Sequence, residues 1–153
     1  MTLAIHEDDL SGEAVRALLA THLRFSVEDG PCTGHSAYGL DDLMTPDVTV
    51  WSAWDGDALV GVGALKATGP AEAVIKSMHV AASARGRGYA RTILHHIEAA
   101  AKARGLTHLL LETGATPGFA PAAALYRAEG YTDRGPFHDH RATDGLIFME
   151  KHL

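Results

Sequence analysis

Apolar residues near the start of the chain recur at a helical spacing. Between residues 11 and 25 they fall three and four positions apart, which predicts an amphipathic helix with one face in the core. These apolar positions are Val15, Leu18, Leu19 and Leu23. Gly30 and Pro31 then break the pattern, and residues 32–46, rich in Gly, Ser and Asp, indicate a loop or a short helix.

The next third of the chain changes to a strand-like pattern. Residues 48–54 and 58–66 are rich in β-forming residues and are joined by Asp-Gly-Asp at 55–57, which predicts a β-hairpin. A turn at Gly69-Pro70 precedes a short apolar strand over residues 73–80.

The second half alternates helices and strands. A strong amphipathic helix begins at about residue 87 and stops at Gly105, and an apolar strand follows over residues 106–112. Pro121 opens another helix that ends near Gly130. Closing strands are predicted from residue 131 onward and over residues 146–152. This order predicts one mixed α/β domain over residues 1–153.

Composition limits the function classes. A hydrophobic content of 46% supports a core, and the longest apolar runs fall well short of the roughly 20 residues of a membrane span. The N-terminal ten residues lack a secretory signal layout, and the single cysteine, Cys32, fits a reducing cytoplasm. A net charge of -6 argues against nucleic acid as a partner. We therefore expect a cytoplasmic protein without a membrane or nucleic-acid partner.

The most informative segment joins the strand at 73–80 to the following helix. A helix start leaves backbone N–H groups unpaired and carries partial positive charge, and glycines at 86 and 88 let a ligand approach the backbone. Together with the arginines at 85, 87 and 91, this junction suits a pyrophosphate. A solvated basic loop is the alternative interpretation.

Nucleotide-binding motifs do not fit this junction. No window matches the phosphate loop G-x-x-x-x-G-K-[ST], and Arg91 stands where the dinucleotide fingerprint needs its third glycine. Gly61 and Gly63 also fail as a phosphate motif, and their position within a strand indicates packing or a bulge.

Arg85-x-x-Gly88-x-Ala90, after a strand that ends Ser77-Met78-His79-Val80, resembles the acyl-CoA signature of the GNAT superfamily of N-acyltransferases. The resemblance covers nearly the whole chain. Its C-terminal motifs resemble the bacterial YsnE-like acetyltransferase branch; they are Leu111-Glu112-Thr113-Gly114, Phe119-Ala120-Pro121, Leu125-Tyr126, Gly130-Tyr131 and Gly135-Pro136-Phe137.

The resemblance implies a GNAT-type fold: a twisted, mostly antiparallel central sheet flanked by helices, with two central strands splayed apart. Acetyl-CoA would be the co-substrate, its pantetheine arm lying in the splay and its pyrophosphate on the loop. A backbone N–H beside the splay can polarise the thioester carbonyl. The implied cofactor-binding residues are Met78, His79, Val80, Arg85, Gly86, Arg87, Gly88, Tyr89, Ala90 and Arg91.

The resemblance also implies acid–base roles. Tyr126 occupies the tyrosine of the family's L-Y-x-x-x-G-[FY] pattern and is the candidate acid for the departing sulfur, with a core aromatic as the alternative. For the base, Glu72 and Glu112 are the two carboxylate candidates, and a chain of water molecules is the third possibility.

The acceptor is expected to be a small amine or amino-acid-like compound. His35 and Tyr38 in the early loop, and His138 and His140 in a later turn, are candidate acceptor-binding residues, with exposed histidines of no role as the alternative. We predict no metal site, because His95 and His96 are adjacent in a helix and diverge by about 100°. A serine hydrolase is disfavoured because Gly34-His35-Ser36-Ala37-Tyr38 lacks the last glycine of G-x-S-x-G.

These observations predict acetyl transfer from acetyl-CoA to an amine within a ternary complex. Two alternatives stay open: an acyl-CoA-binding domain without turnover, and a transferase that acts on hydroxyl groups or carries longer acyl groups. Homodimers are common in the resembled family, so a homodimer is possible.

Overall fold

The computed structural model describes residues 3–28, 39–138 and 145–153. Within these residues the chain forms seven strands and four helices. The strands are β1 (Ala4–Glu7), β2 (Val48–Asp55), β3 (Ala58–Ala67), β4 (Glu72–Val80), β5 (His108–Gly114), β6 (Thr132–Arg134) and β7 (Leu146–His152). The helices are α1 (Glu13–Glu28), α2 (Leu40–Leu43), α3 (Tyr89–Ala103) and α4 (Ala120–Ala128), with short 3₁₀ turns at Ala82–Ala84 and Pro117–Phe119.

All seven strands form one sheet in the order β1-β2-β3-β4-β5-β7-β6. Neighbouring strands are antiparallel except β4 and β5, which run parallel. A parallel pair needs a crossover connection, and α3 supplies it. The expectation of a mixed α/β fold with a mostly antiparallel sheet flanked by helices is confirmed.

Helices cover both faces of the sheet. The larger core packs α3 and α4 on one face, with Ile93, Leu94 and Ile97 almost fully buried. A smaller core on the opposite face packs α1 against β2 and β3 through Val15, Leu19 and their neighbours. Each helix thus buries the apolar stripe that its sequence spacing predicts.

The two glycines of β3 allow α3 to approach the sheet closely. A Cβ at Gly61 would lie 2.6 Å from the Ile93 Cδ1, and one at Gly63 would lie 2.7 Å from the Ile97 Cδ1. Side chains at these positions would force the helix away, so the packing interpretation of this glycine pair holds.

The element boundaries differ from the predicted ones at instructive places. β1 was not predicted; its four residues include two polar ones, and it pairs only with β2 at the edge. The helix expected from about residue 87 begins at Tyr89, because Gly88 has a left-handed φ of 79° and caps it. The strand predicted at 106–112 runs instead from His108 to Gly114, two residues later.

Among the residues that the structure describes, no helix has both the length and the apolar character that crossing a bilayer requires.

Candidate active site

The central parallel pair is closed at one end and open at the other. β4 and β5 are in register from Glu72 opposite His108 to Ile75 opposite Leu111, and the register ends there. Beyond this point β4 continues with β3, and β5 continues with β7. The predicted splay of two central strands is therefore present, and it opens a gap through the sheet.

A bulge in β4 marks the beginning of the gap. Ser77 and Met78 both lie opposite Gly63, since the register passes from Ala64–Lys76 to Val62–His79. Ser77 has a positive φ of 54°, a conformation that costs free energy for a residue with a side chain. The bulge shifts the alternation of side chains, so Met78 and Val80 pack against the α3 core while His79 faces α1.

A cleft of about 510 Å³ occupies this gap. Ten of the predicted site residues line it: Met78, His79, Val80, Arg85, Gly86, Gly88, Tyr89, Ala90, Arg91 and Tyr126. Arg87 lies in the same loop but is exposed and does not line the cleft. The sequence thus predicted most of one wall of the cleft.

The loop before α3 provides room for a ligand at its backbone. Gly86 and Gly88 have φ values of 81° and 79°, and a Cβ built at either would meet no atom within 4 Å. The Arg85 Nε donates to the carbonyl oxygen of Val80 at 3.3 Å, which ties the loop to the end of β4. Because the first N–H groups of a helix lack intrahelical partners, this loop fits an anionic group.

Two of the predicted cofactor-binding side chains are already engaged within the protein. The Tyr89 hydroxyl donates to Asp55 at 3.0 Å, and the Arg91 Nε donates to Glu129 at 3.0 Å. Glu129 also contacts His95. These contacts hold the first turn of α3 in place, and they occupy the Tyr89 hydroxyl and the Arg91 Nε within the protein.

Tyr126 lies on α4 with its side chain buried, only 6% exposed. Its ring packs edge-on against Tyr131, with ring centroids 5.7 Å apart. Burial raises the pKa of Tyr126 well above its ordinary value of 10, so the phenol stays protonated at neutral pH. Tyr131 is engaged differently, since its hydroxyl donates to Glu98 at 2.8 Å and Lys151 donates to the same carboxylate oxygen at 2.9 Å.

Sequence reasoning missed His22 and Phe25, which α1 contributes to the cleft. The Nδ1 atoms of His22 and His79 lie 3.0 Å apart, and the Phe25 ring lies edge-on to His79. Burial, foremost, lowers the pKa of each histidine to about 4. The sequence pattern could have placed His22 on the buried face of α1, because His22 lies on the same helical face as the apolar residues Val15 and Leu19.

Two predicted residues lie away from the cleft. Glu72 stands at the start of β4, where it accepts from the Thr68 hydroxyl at 2.8 Å and pairs with His138 at 3.0 Å. At about 3.3 Å per strand residue, Glu72 is more than about 20 Å from Val80. Neither Glu72 nor His138 lines the cleft, so their roles as base and acceptor ligand stay predictions that this geometry does not support.

Of the other predicted residues, one lies near the gap and three lie outside the part of the chain that the structure describes. Glu112 is the first residue of β5 beyond the shared register with β4, although it does not line the cleft. His35, Tyr38 and His140 lie outside the described residues. In the described part of the chain, His108, Glu150 and His152 form a group at the closed end of the β4–β5 pair, where Arg134 also binds Glu150.

Comparison with known proteins agrees with this geometry. The family model described as Acetyltransferase (GNAT) family matches residues 15–131. The chain is 40% identical over 146 residues to the uncharacterized N-acetyltransferase YsnE of Bacillus subtilis, covering 95% of this chain and 97% of that protein. It is 36% identical over 142 residues to an IAA acetyltransferase of Azospirillum brasilense, covering 92% of each.

A solved structure shows the same fold. A GNAT family acetyltransferase from Elizabethkingia anophelis, with acetyl-CoA bound, superposes with a TM-score of 0.73 at 15% identity and covers 99% of this chain and 98% of its own. The splayed β4–β5 pair and the glycine- and arginine-rich start of α3 thus lie within a fold that this acetyltransferase shares. The chain belongs to the GNAT family of acetyltransferases and resembles its YsnE-like branch.

Proposed function

We propose that the protein transfers an acetyl group from acetyl-CoA to the amine of a small molecule, by direct attack within a ternary complex. The observation that carries this proposal is the cleft through the β4–β5 splay. It has a cationic helix start at one end and a buried, protonated tyrosine among its lining residues. The family supports acetyl transfer, and acetyl-CoA is bound in a solved structure of the same fold.

The β4 backbone and the loop would hold acetyl-CoA. From Met78 to Val80, β3 borders β4 on one side and the cleft lies on the other, so an extended pantetheine arm could add to the sheet there. The pyrophosphate would lie over Gly86 and Gly88, with Arg85, Arg87 and Arg91 supplying positive charge.

Tyr126 would protonate the departing sulfur. Its side chain lines the cleft and is only 6% exposed, which places the phenol in the cleft wall. A phenol that burial keeps protonated can donate to the thiolate as the C–S bond breaks and recover its proton from water.

Direct transfer is favoured over an acetyl-enzyme. Neither serine nor cysteine lines the described part of the cleft, and a covalent route needs such a nucleophile beside a base. The amine would therefore attack the thioester itself, forming the C–N bond as the C–S bond breaks.

The cleft lining also bears on the acceptor. Arg85 and Arg91 line it, whereas no carboxylate does so among the described residues. Because the pyrophosphate would neutralise these arginines, the lining argues only against a polycationic acceptor, for which it offers no carboxylate. His35, Tyr38 and His140 stay candidates for acceptor contacts, and a cytoplasmic location and a homodimer stay predictions.

An acceptor screen tests the proposal. Purified protein would be incubated with acetyl-CoA and a panel of amino acids, aromatic amines, polyamines and IAA, while free thiol is followed and products are weighed by mass spectrometry. We expect an N-acetylated product and intersecting initial-rate plots. Parallel plots would contradict direct transfer, and acetyl-CoA binding in calorimetry without thiol release from any acceptor would favour the non-catalytic alternative.

A further inference from the structure

The cleft wall contains a contact between two histidines. His22 on α1 and His79 on β4 approach with their Nδ1 atoms 3.0 Å apart and their rings edge-on, with centroids 5.0 Å apart at 72°. Both residues line the cleft. Phe25 packs on His79 from the same helix, so the contact is held by α1 against β4.

The contact between the two Nδ1 atoms limits the protonation states that the two imidazole rings can have. A hydrogen bond between two Nδ1 atoms needs one N–H donor and one lone pair, so at least the accepting ring is neutral. When both rings are neutral, the donor ring has a lone pair at its Nε2 and the acceptor ring has an N–H at its Nε2. The pair can then take up a proton at one end and release a proton at the other.

The surroundings keep the pair neutral. Burial is the main cause that lowers each pKa to about 4; the charge of Arg85 also lowers the pKa of His79, and His79 lowers that of His22. The other charged or titratable groups in the described cleft lining are Arg91, Tyr89 and Tyr126. No carboxylate among the described lining residues stabilises an imidazolium there.

We propose that His22 and His79 form a proton relay that serves as the general base of the acetyl transfer proposed above, on which this inference rests. His79 belongs to the part of β4 that borders the splay and lines the cleft, so the relay takes its Nε2 as the end that receives the proton of the reacting amine. His22 lines the same cleft from α1 and is partly exposed, so the relay takes its Nε2 as the end that exchanges protons with water.

The proton balance closes over one turnover. As the amine nitrogen bonds to the acetyl carbon, its proton moves to the His79 Nε2. The Nδ1 proton of His79 passes to the His22 Nδ1, and the Nε2 proton of His22 leaves to water. Each ring is then in its other tautomer, so before the next turnover water returns a proton to the His22 Nε2, the Nδ1 proton passes back to His79, and the His79 Nε2 proton leaves through the emptied cleft. The C–S bond breaks with a proton from Tyr126, which water restores. Because the pair is a weak base, it acts on the acidic nitrogen formed during attack rather than on a free ammonium ion.

Two asparagine variants separate a relay from a structural contact. An asparagine amide can occupy the position of an Nδ1 and keep the bond to the partner ring, but it has no atom equivalent to Nε2. We would measure kcat, both KM values and the unfolding midpoint of His22→Asn, His79→Asn and Glu112→Gln, using an acceptor found in the screen. His152→Asn, whose side chain is 74% exposed at the far end of β7, is the matched control.

We expect kcat at pH 7 to fall about 10²-fold in both asparagine variants. The acetyl-CoA KM and the unfolding midpoint should stay close to those of the wild type, and His152→Asn should retain full activity. Added imidazole should restore part of the activity of His79→Ala, which a purely structural role would not allow.

Retention of kcat within about threefold in both asparagine variants would overturn the relay. A loss confined to Glu112→Gln would assign the base to Glu112 instead. A wild-type protein that releases no thiol with any acceptor would overturn the proposed function and the relay together, so the two failures are distinguishable.

Discussion

The two ends of the β4–β5 pair contain the same kind of side chain in opposite surroundings. At the closed end, His108 lies 2.7 Å from Glu150, and His138 lies 3.0 Å from Glu72. At the open end, His22 and His79 contact each other, and no carboxylate lines the cleft among the described residues. Histidines thus contact carboxylates where the strands meet and contact each other where the strands part. Residue type alone therefore did not distinguish histidines that make structural contacts from histidines that line the candidate active site.

The largest expected effect comes from adding a carboxylate to the open end. Gly88→Asp places a negative charge at the helix start, in space that no protein atom occupies, so we expect acetyl-CoA affinity to fall by at least about 10³-fold, or ~4 kcal/mol. Gly88→Asn is the matched control, because both residues tolerate the left-handed conformation. Calorimetry that gives equal affinities for the two variants would show that the phosphates bind elsewhere.

The neutral histidine pair predicts a loss of stability in mild acid. Folded His22 and His79 take up protons only near pH 4, whereas unfolded histidines do so near about pH 6.5. The unfolded state therefore binds more protons between these values, and the free energy of unfolding should fall by about 3 kcal/mol for each histidine as the pH drops from 6.5 to 4. Urea titrations across this range should give a flatter profile for His22→Gln/His79→Gln than for wild type. An unchanged slope would contradict a neutral pair.

Tyr126→Phe should separate turnover from stability. The variant keeps the buried ring but removes the proton donor, so we expect kcat to fall about 10²-fold while the free energy of unfolding changes by less than about 1 kcal/mol. Tyr131→Phe should show the reverse pattern, because it removes the hydrogen bond to Glu98 outside the cleft. Equal kcat values for Tyr126→Phe and wild type would leave Tyr126 with a packing role alone.

The smallest effect is expected at the closed end. The hydrogen bond from His108 and the charge of Arg134 lower the pKa of Glu150, so the pair stabilises the fold above the ordinary glutamate pKa and the contribution is lost as the pH falls through the lowered value. Glu150→Gln should cost about 0.2–1 kcal/mol at pH 7 and progressively less as the pH falls below the ordinary glutamate pKa, with kcat unchanged. Thermal unfolding of Glu7→Gln, which removes a more exposed pair with Arg104, provides the comparison. A fall in the kcat of Glu150→Gln would contradict this expectation, because it would show that the closed end of the β4–β5 pair affects turnover at the open end.

The sequence predicted features that lie within one continuous segment better than features that depend on contacts between distant residues. The loop from Arg85 to Arg91 is one continuous segment, and its glycines and arginines carry their own chemistry, so its place at the start of a helix could be predicted. The splay itself followed from family resemblance. The contact between His22 and His79 joins residues 57 positions apart and depends on how α1 packs, which no local pattern encodes. The distance of Glu72 from the cleft could not be predicted either, because alternation along β4 gives the face of a side chain but not its distance from the gap.

The short shared register has a thermodynamic consequence for the whole molecule. Only four residue pairs join β4 to β5, so the sheet consists of a four-stranded and a three-stranded half with a narrow seam. A ligand that fills the gap would contact both halves of the sheet. Its binding would therefore stabilise the folded state, by an amount that rises with the ligand concentration. At 100 times its dissociation constant, such a ligand adds about 2.7 kcal/mol to the free energy of unfolding. The lifetime of the protein in a proteolytic environment would then follow the supply of its own substrate.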